Sequence, residues 1–315
     1  MEQTVKTTTI KTTTIITMFF NMKKLKDSTE LTRPFEFYIN NCKPVLNLNY
    51  PMVIFCDEDT YGPIKEIRDT LINDNTTKYV IKNIEEYDYY QNCWSIINDN
   101  RIKNGQPKDR RNTSSYLLMG MFKPYAFHYV NQHNFFNTTH YAWIDLGCNH
   151  IVRELETYAP KMLNNPNSKV SVCYIHYRGH NELINMSEYM KYGGPCGIAS
   201  TAYTIESSYV SKFYTSMFSI LYEQLFNEVG HTDETVMTYC YDKYPEIFNI
   251  YGGDYGSVFV NYHNPTQDIH IILYCFIHNA LQNNQTNLAK TMAKQVLDSN
   301  PDLDIDTITK LKSIL

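Results

Sequence analysis

No Cys-x-x-Cys pair occurs among the eight cysteines of this 315-residue chain, which removes the paired-ligand spacing of a zinc ribbon and leaves no dense disulfide framework. Several cysteines sit inside apolar runs, Ile54-Phe55-Cys56 and Tyr274-Cys275-Phe276 among them, and read as buried reduced thiols, a state that a reducing compartment preserves. No apolar run approaches the roughly 20 residues that cross a bilayer, and Met1-Glu-Gln-Thr-Val-Lys6 carries no long apolar core of a secretion signal. The expectation is a soluble, cytoplasmic protein without a transmembrane segment. Positive charge is not in excess either: 28 Lys and Arg face 33 Asp and Glu, for a formal charge of −5, so nothing general draws the chain to polyanions. The one dense basic cluster, Lys103, Lys108, Arg110 and Arg111, reads as a solvated loop. Nucleic acid is not an expected partner.

What is present is globular composition, 43% hydrophobic and 19% charged, on a chain long enough for one sizeable domain with or without an appendage. Residues 1–13 are a Thr/Lys-rich tail without apolar periodicity. Thr14-Ile-Ile-Thr-Met-Phe-Phe20 predicts a buried first strand, Phe35 to Cys42 an amphipathic helix, and Tyr50 to Asp59 a short apolar strand ending in acids. This is the start of a parallel sheet covered on both faces. A helix over Ile64 to Asn73 and a strand-like segment from Lys78 to Ile84 follow. Helices are expected over Ser114 to His133, interrupted or kinked at Pro124.

Further strands are expected at Trp143-Ile144-Asp145 and Val170 to His176, a glycine turn at Gly193 to Ile198, and a long helix over Ser207 to Glu228. His231-Thr-Asp-Glu234 opens another helix with Thr232 as cap. Ile250 to His263 reads as a turn and then a final core strand. From Ile269 the pattern is helical only, over Ile269 to Gln282, Thr286 to Asp298 and Asp304 to Ile314. The organisation read from this is a tail (1–13), an α/β domain (14–265) and a helical appendage (266–315) that carries none of the acid clusters.

Chemistry concentrates at strand ends. His140-Tyr-Ala-Trp-Ile-Asp-Leu-Gly-Cys-Asn-His150 is an apolar run that breaks on one carboxylate, Asp145, and then on Gly147, where backbone can approach a ligand closely. Open α/β sheets place ligands at this edge. Asp57-Glu58-Asp59 ends a second strand, and a divalent cation on a diphosphate takes oxygen ligands of this kind. Alone, each is also what an acidic turn looks like. Asp233 and Glu234, in the first turn of a helix, suit either a base or a capping acid. His263 is an imidazole that a transition metal could use.

Together, Thr14-Ile-Ile-Thr-Met-Phe-Phe20, Pro51-Met-Val-Ile-Phe-Cys-Asp57, Phe122-Lys123-Pro124, Trp143-Ile-Asp-Leu-Gly147 and His231-Thr-Asp-Glu234 resemble the HtrL/YibB family, itself similar to glycosyltransferases of the GT-A fold. The resemblance spans residues 14 to 265. It implies a GT-A-like, Rossmann-like, mostly parallel sheet flanked by helices, with a C-terminal helical appendage. It implies a nucleotide-sugar donor, a UDP-sugar first, and an acceptor hydroxyl on a glycan, lipid-linked sugar or protein. It also implies Mn²⁺ or Mg²⁺, with Asp145 in the acidic metal-binding motif. The usual second acid of that motif is Gly147 here, and His263 is the candidate for the missing ligand. Lys123, Asp57, Asp59, Gly147 and Gly194 are candidates for the donor. Asp233 is the expected base of an inverting transfer, with Glu234 binding acceptor or capping the helix. The rival reading is a catalytically inactive carbohydrate-binding or interaction protein on the same fold.

Overall fold

The computed structural model describes residues 12–72, 76–104, 111–184, 197–226 and 232–315. Strand β1 (Thr13–Phe19) lies inside its sheet and is buried along almost its whole length, as a strand covered on both faces must be. β1 pairs in parallel with β2 (Met52–Cys56) on one side and with β4 (His140–Ile144) on the other, and β3 (Thr77–Ile81) continues the parallel order beyond β2. Past β4 the sheet takes in β6 (Ala202–Glu206), antiparallel to its neighbours, then β5 (Val170–Tyr174) and β7 (Phe248–Gly252). The order of the seven strands is β3-β2-β1-β4-β6-β5-β7. This is the α/β architecture expected from the sequence, a mostly parallel sheet flanked by helices with further helices at the C-terminal end.

Side chains alternate across the sheet. Ile16, Val53, Phe55, Tyr141 and Trp143 face one layer, built from α3 (Asp88–Asn104), α4 (Ser114–Gly120), α5 (Phe122–His133), α8 (Val210–Phe226) and α9 (Asp233–Lys243). Ile15, Met52, Ile54, Ala142 and Ile144 face the other, with α1 (Phe35–Leu46), α2 (Glu58–Leu71) and α6 (Leu155–Asn164). A short helix, α7, covers His180–Ile184.

The C-terminal helices follow: α10 over 269–282, with a π-helical stretch at Ile272–Ile277, then α11 (Thr286–Ser299) and α12 (Ile305–Ile314). Their buried faces, including Ile272, Phe276, Ala293 and Leu311, belong to the same apolar cluster as the first helical layer. Among the described residues no helix is long and apolar enough to cross a membrane. Six described cysteines are buried free thiols, as the apolar settings in the sequence implied, whereas Cys275, expected to be buried too, is half-buried.

Two local expectations change. The helix break between α4 and α5 lies at Met121 and not at Pro124, which sits in the first turn of α5 where a backbone N–H would lack a helical partner anyway. The strand near residue 250 comes before its turn: β7 ends at Gly252, and Val258 to Tyr262, expected as a core strand, are buried turns, with the Tyr262 hydroxyl bonded to that of Thr204 on β6. Strand β6 and helices α3 and α6 had no counterpart in the sequence reading.

After β1 the chain moves sideways to β2, and after β4 it moves the opposite way toward β5, so the carboxyl ends of the adjacent strands β1 and β4 flank a topological switch point. Connections diverge there, and in open α/β sheets such a switch point is the usual place of the ligand crevice.

Candidate active site

Asp145 is the first residue past β4 and stands at that crevice. Its backbone N–H continues the ladder to the Thr201 carbonyl at 2.9 Å. Trp143, two residues earlier and so on the same side of the strand, donates its indole N–H to Asp145 Oδ1 at 2.7 Å. The neighbouring stretch Ser200-Thr201 leads into β6, and its placement depends on that strand running antiparallel to β4.

Lys123 enters from the first turn of α5. Its ammonium donates to the Ser200 carbonyl and hydroxyl, both at 2.9 Å, and lies 3.2 Å from Asp145 Oδ1 and 3.0 Å from Asp233 Oδ2. Lys123 is 5% exposed, so this is a buried cation bracketed by two carboxylates. Asp233 is 7% exposed and occupies the first turn of α9, where the positive end of the helix favours an anion. Thr232 stands at the cap position, but its hydroxyl faces that of Thr235 instead of a backbone N–H. Asp145 is the accessible member, its side chain 37% exposed on the crevice floor.

Glu234 turns toward Tyr255, whose hydroxyl reaches both carboxylate oxygens at 2.8 Å, and the Ser200 N–H lies 3.4 Å from Oε1. Burial, and then the neighbouring charge of Asp233, push the Glu234 carboxyl up to about 7. Burial also raises Asp145, against the pull of Lys123 and the Trp143 N–H. For Lys123 burial works against the charge, but Asp145, Asp233 and Glu234 together outweigh it and hold the ammonium above the ordinary lysine range. Tyr116, on α4, is pushed up to about 12 by burial and then by Asp233 and Glu234.

The structure therefore unites Lys123, Asp145, Asp233 and Glu234. The other expected residues lie as follows. Asp57 caps α2, accepting from the Thr60 N–H at 2.9 Å and the Asn21 N–H at 2.6 Å, so both oxygens already serve the backbone. Asp59 is on the surface in an ion pair with Lys24. Gly147 follows Asp145 closely, and a Cβ there would stand 2.9 Å from the Tyr38 ring. Gly194 lies outside the described residues. His263 does not join Asp145: its Nε2 is 3.4 Å from the Lys161 carbonyl. Nearby on α6, Leu163 accepts from the hydroxyl of Thr13, which registers with His140 at the start of β4. That is the opposite end of the strand from Asp145.

The donors do not fit a resident divalent cation of the expected kind. Asp145 Oδ1 is taken by Trp143 and Lys123, His263 is elsewhere, and the ammonium stands between the two aspartates. Among the described residues no group of three His, Cys, Asp or Glu could hold a metal.

Sequence reasoning missed Ser200, Tyr255 and Tyr116. It also missed a rim assembly of Arg33, Phe37 and His150. The Arg33 guanidinium lies 4.5 Å over the Phe37 ring and 3.1 Å from His150 Nε2, and His150 Nδ1 is 2.6 Å from the Gly147 carbonyl. That carbonyl fixes Nδ1 as the donor, leaving Nε2 to accept from Arg33. Tyr38 is raised by burial, lowered by Arg33 and raised by Asp145, so both charges act on the one phenol. Only Trp143 had a sequence signal, its i, i+2 spacing from Asp145.

Residues 11–264 match the model of the HtrL_YibB family, described as bacterial protein of unknown function, and the chain belongs to that family. No curated protein matches the chain in sequence. Among solved structures it is similar to mouse xyloside xylosyltransferase 1 in its apo form, at 9% identity over 75% of this chain and 83% of that one, with a TM-score of 0.39. It is similar to PaToxG glycosyltransferase at 11% identity over 96% and 84%, TM-score 0.34. A third is 4-diphosphocytidyl-2C-methyl-D-erythritol synthase from Anaerococcus prevotii, at 11% identity over 86% and 99%, TM-score 0.33.

Proposed function

We propose that this protein is a glycosyltransferase that moves a sugar from a nucleotide-sugar donor, a UDP-sugar first, to a hydroxyl of a glycan, lipid-linked sugar or protein. The observation that carries the reading is Glu234: a carboxyl pushed up to about 7, hydrogen-bonded by Tyr255, beside a lysine and two aspartates at the switch point of a mostly parallel sheet. A general base works best with a pKa near the operating pH. Asp233 suits that task less well, because its carboxylate is engaged by the Lys123 ammonium at 3.0 Å.

In the proposed step the acceptor oxygen attacks the anomeric carbon and its proton passes to Glu234. The bond from that carbon to the diphosphate oxygen breaks, and the nucleoside diphosphate leaves with the electron pair, inverting the centre. Asp145 faces the donor from the floor, and Arg33 offers a cation at the rim. Asp57 and Asp59 keep no part in this scheme.

The test is a panel of nucleotide sugars with purified protein, following donor hydrolysis and transfer to saccharide acceptors. Glu234→Gln should slow transfer by about 10²- to 10⁴-fold, the usual worth of a general base, while donor affinity holds. Failure of every nucleotide sugar to bind would overturn the reading. Donor binding with no turnover in wild type would favour the inactive, carbohydrate-binding alternative.

A further inference from the structure

Resting on the proposed donor class, we infer that Lys123 is the resident cation of the Asp145 and Asp233 carboxylates, and that the site takes its nucleoside-diphosphate donor without a divalent metal. Three independent observations carry this. The ammonium is held in place: Ser200 accepts from it twice at 2.9 Å, Asp233 lies at 3.0 Å and Asp145 at 3.2 Å. Lys123 is only 5% exposed, so the charge is buried with those partners. A divalent ion on Asp145 would therefore stand against a fixed like charge, and like charges repel strongly where water is scarce.

Second, the position where a second acidic ligand would stand is closed. Any side chain at residue 147 would begin with a Cβ 2.9 Å from the Tyr38 ring. Third, the imidazole that might have replaced that acid, His263, lies at the other end of the sheet. The glycine at 147 and the lysine at 123 are thus two halves of one arrangement. A charge fixed to the chain balances one of the two aspartates, so the floor presents about one negative charge to the donor where two bare carboxylates would present two. The donor's own phosphates are then left for guanidinium recognition at the rim, where Arg33 stands over Phe37.

Two measurements on the intact chain test this. In the first, Mn²⁺ is titrated into metal-free wild type by calorimetry, and UDP into the protein with EDTA and again with Mn²⁺. The expected result is no saturable Mn²⁺ site, and UDP affinities that agree within about twofold between the two conditions. Saturable Mn²⁺ binding, or UDP binding at least about tenfold tighter with Mn²⁺ and levelled by Asp145→Asn, would overturn the inference. In the second, Lys123→Ala should gain a saturable Mn²⁺ site that Asp145→Asn then removes; a folded Lys123→Ala without one would count against it. If Lys123→Ala does not fold, the wild-type titrations still decide. If UDP binds in neither condition the glycosyltransferase reading fails instead, and the Mn²⁺ titration still judges the lysine.

Discussion

A methyl group on Gly120 would stand 2.5 Å from Asp233 Oδ1, so the end of α4 and the start of α9 touch at the acid that pairs with Lys123. Alanine is normally the better helix residue, by about 1 kcal/mol over glycine. Here overpacking against a short, buried side chain opposes that gain, at a cost of about 1–3 kcal/mol. Gly120→Ala should therefore lower the thermal midpoint and, by moving Asp233 off Lys123, slow transfer as well. Differential scanning fluorimetry beside a rate assay checks both. An alanine variant more stable than wild type would mean that the contact is soft.

Glu234 makes activity and stability run in opposite directions with pH. Its carboxyl is raised by burial and by Asp233 to about 7, above the unfolded value. The folded state therefore binds more protons than the unfolded state between the two values, and stability falls as pH rises through that window. This contribution is complete below the unfolded value and lost once pH passes about 7. As the proposed base, Glu234 must be ionised, so the transfer rate should rise over the same range. Rate and thermal midpoint measured from pH 5 to about 8 should cross in this way, and Glu234→Gln should flatten both limbs. A wild-type rate independent of pH there would remove Glu234 as the base.

The parts of the fold legible in the sequence are those where apolar runs are dense. β1, β2 and β4 declare themselves because a strand covered on both faces is continuously apolar, and Asp145 is conspicuous because it ends such a run. β6 escapes because Ala202-Tyr-Thr-Ile-Glu206 has a polar centre, Thr204, whose hydroxyl is bonded to the distant Tyr262, and ends on a charge. The reading of His263 failed for a similar reason, since Val258 to Tyr262 are mostly apolar and buried like a core strand while forming turns. In the site, Lys123 and the acids are visible as local motifs. Their partners are not: Ser200 meets Lys123 across 77 residues of chain, and Tyr255 meets Glu234 across 21, separations that no local pattern encodes.

Arg33 should matter to the donor's phosphates and not to its base. The guanidinium is oriented by the Phe37 ring and by His150 Nε2, and charge-assisted contacts to phosphate contribute about 1.5–3 kcal/mol each where water is largely excluded. At this half-exposed rim the effect is smaller, and Arg33→Ala should weaken UDP binding by about five- to tenfold while leaving uridine binding unchanged. Added salt should narrow the difference between wild type and variant. Equal losses for UDP and uridine would point to a disturbed crevice, and no loss for either would remove Arg33 from the site.

The family match stops at residue 264, just before the C-terminal helices, yet those helices complete the core of the sheet they follow. Phe276 is fully buried against the rings of Tyr174 and Tyr177, at centroid distances of 5.4 and 5.8 Å, and the Cys275 carbonyl accepts from the Tyr177 N–H at 3.0 Å. A Cβ on Gly252, the last residue of β7, would meet Ile272 at 3.0 Å. Each such apolar side chain contributes about 1.5–3 kcal/mol by burial, and a whole domain is stable by only about 5–15 kcal/mol. Deletion of residues 266–315 should therefore cost the fold itself, seen as aggregation or a lost cooperative melt, although none of the clustered site residues lies there. Phe276→Ala separates the two effects: it should cost about 3–5 kcal/mol while donor affinity, measured well below its melting range, stays near wild type. A truncated chain that melts within a few degrees of wild type would show that these helices rest on the core without being needed to build it.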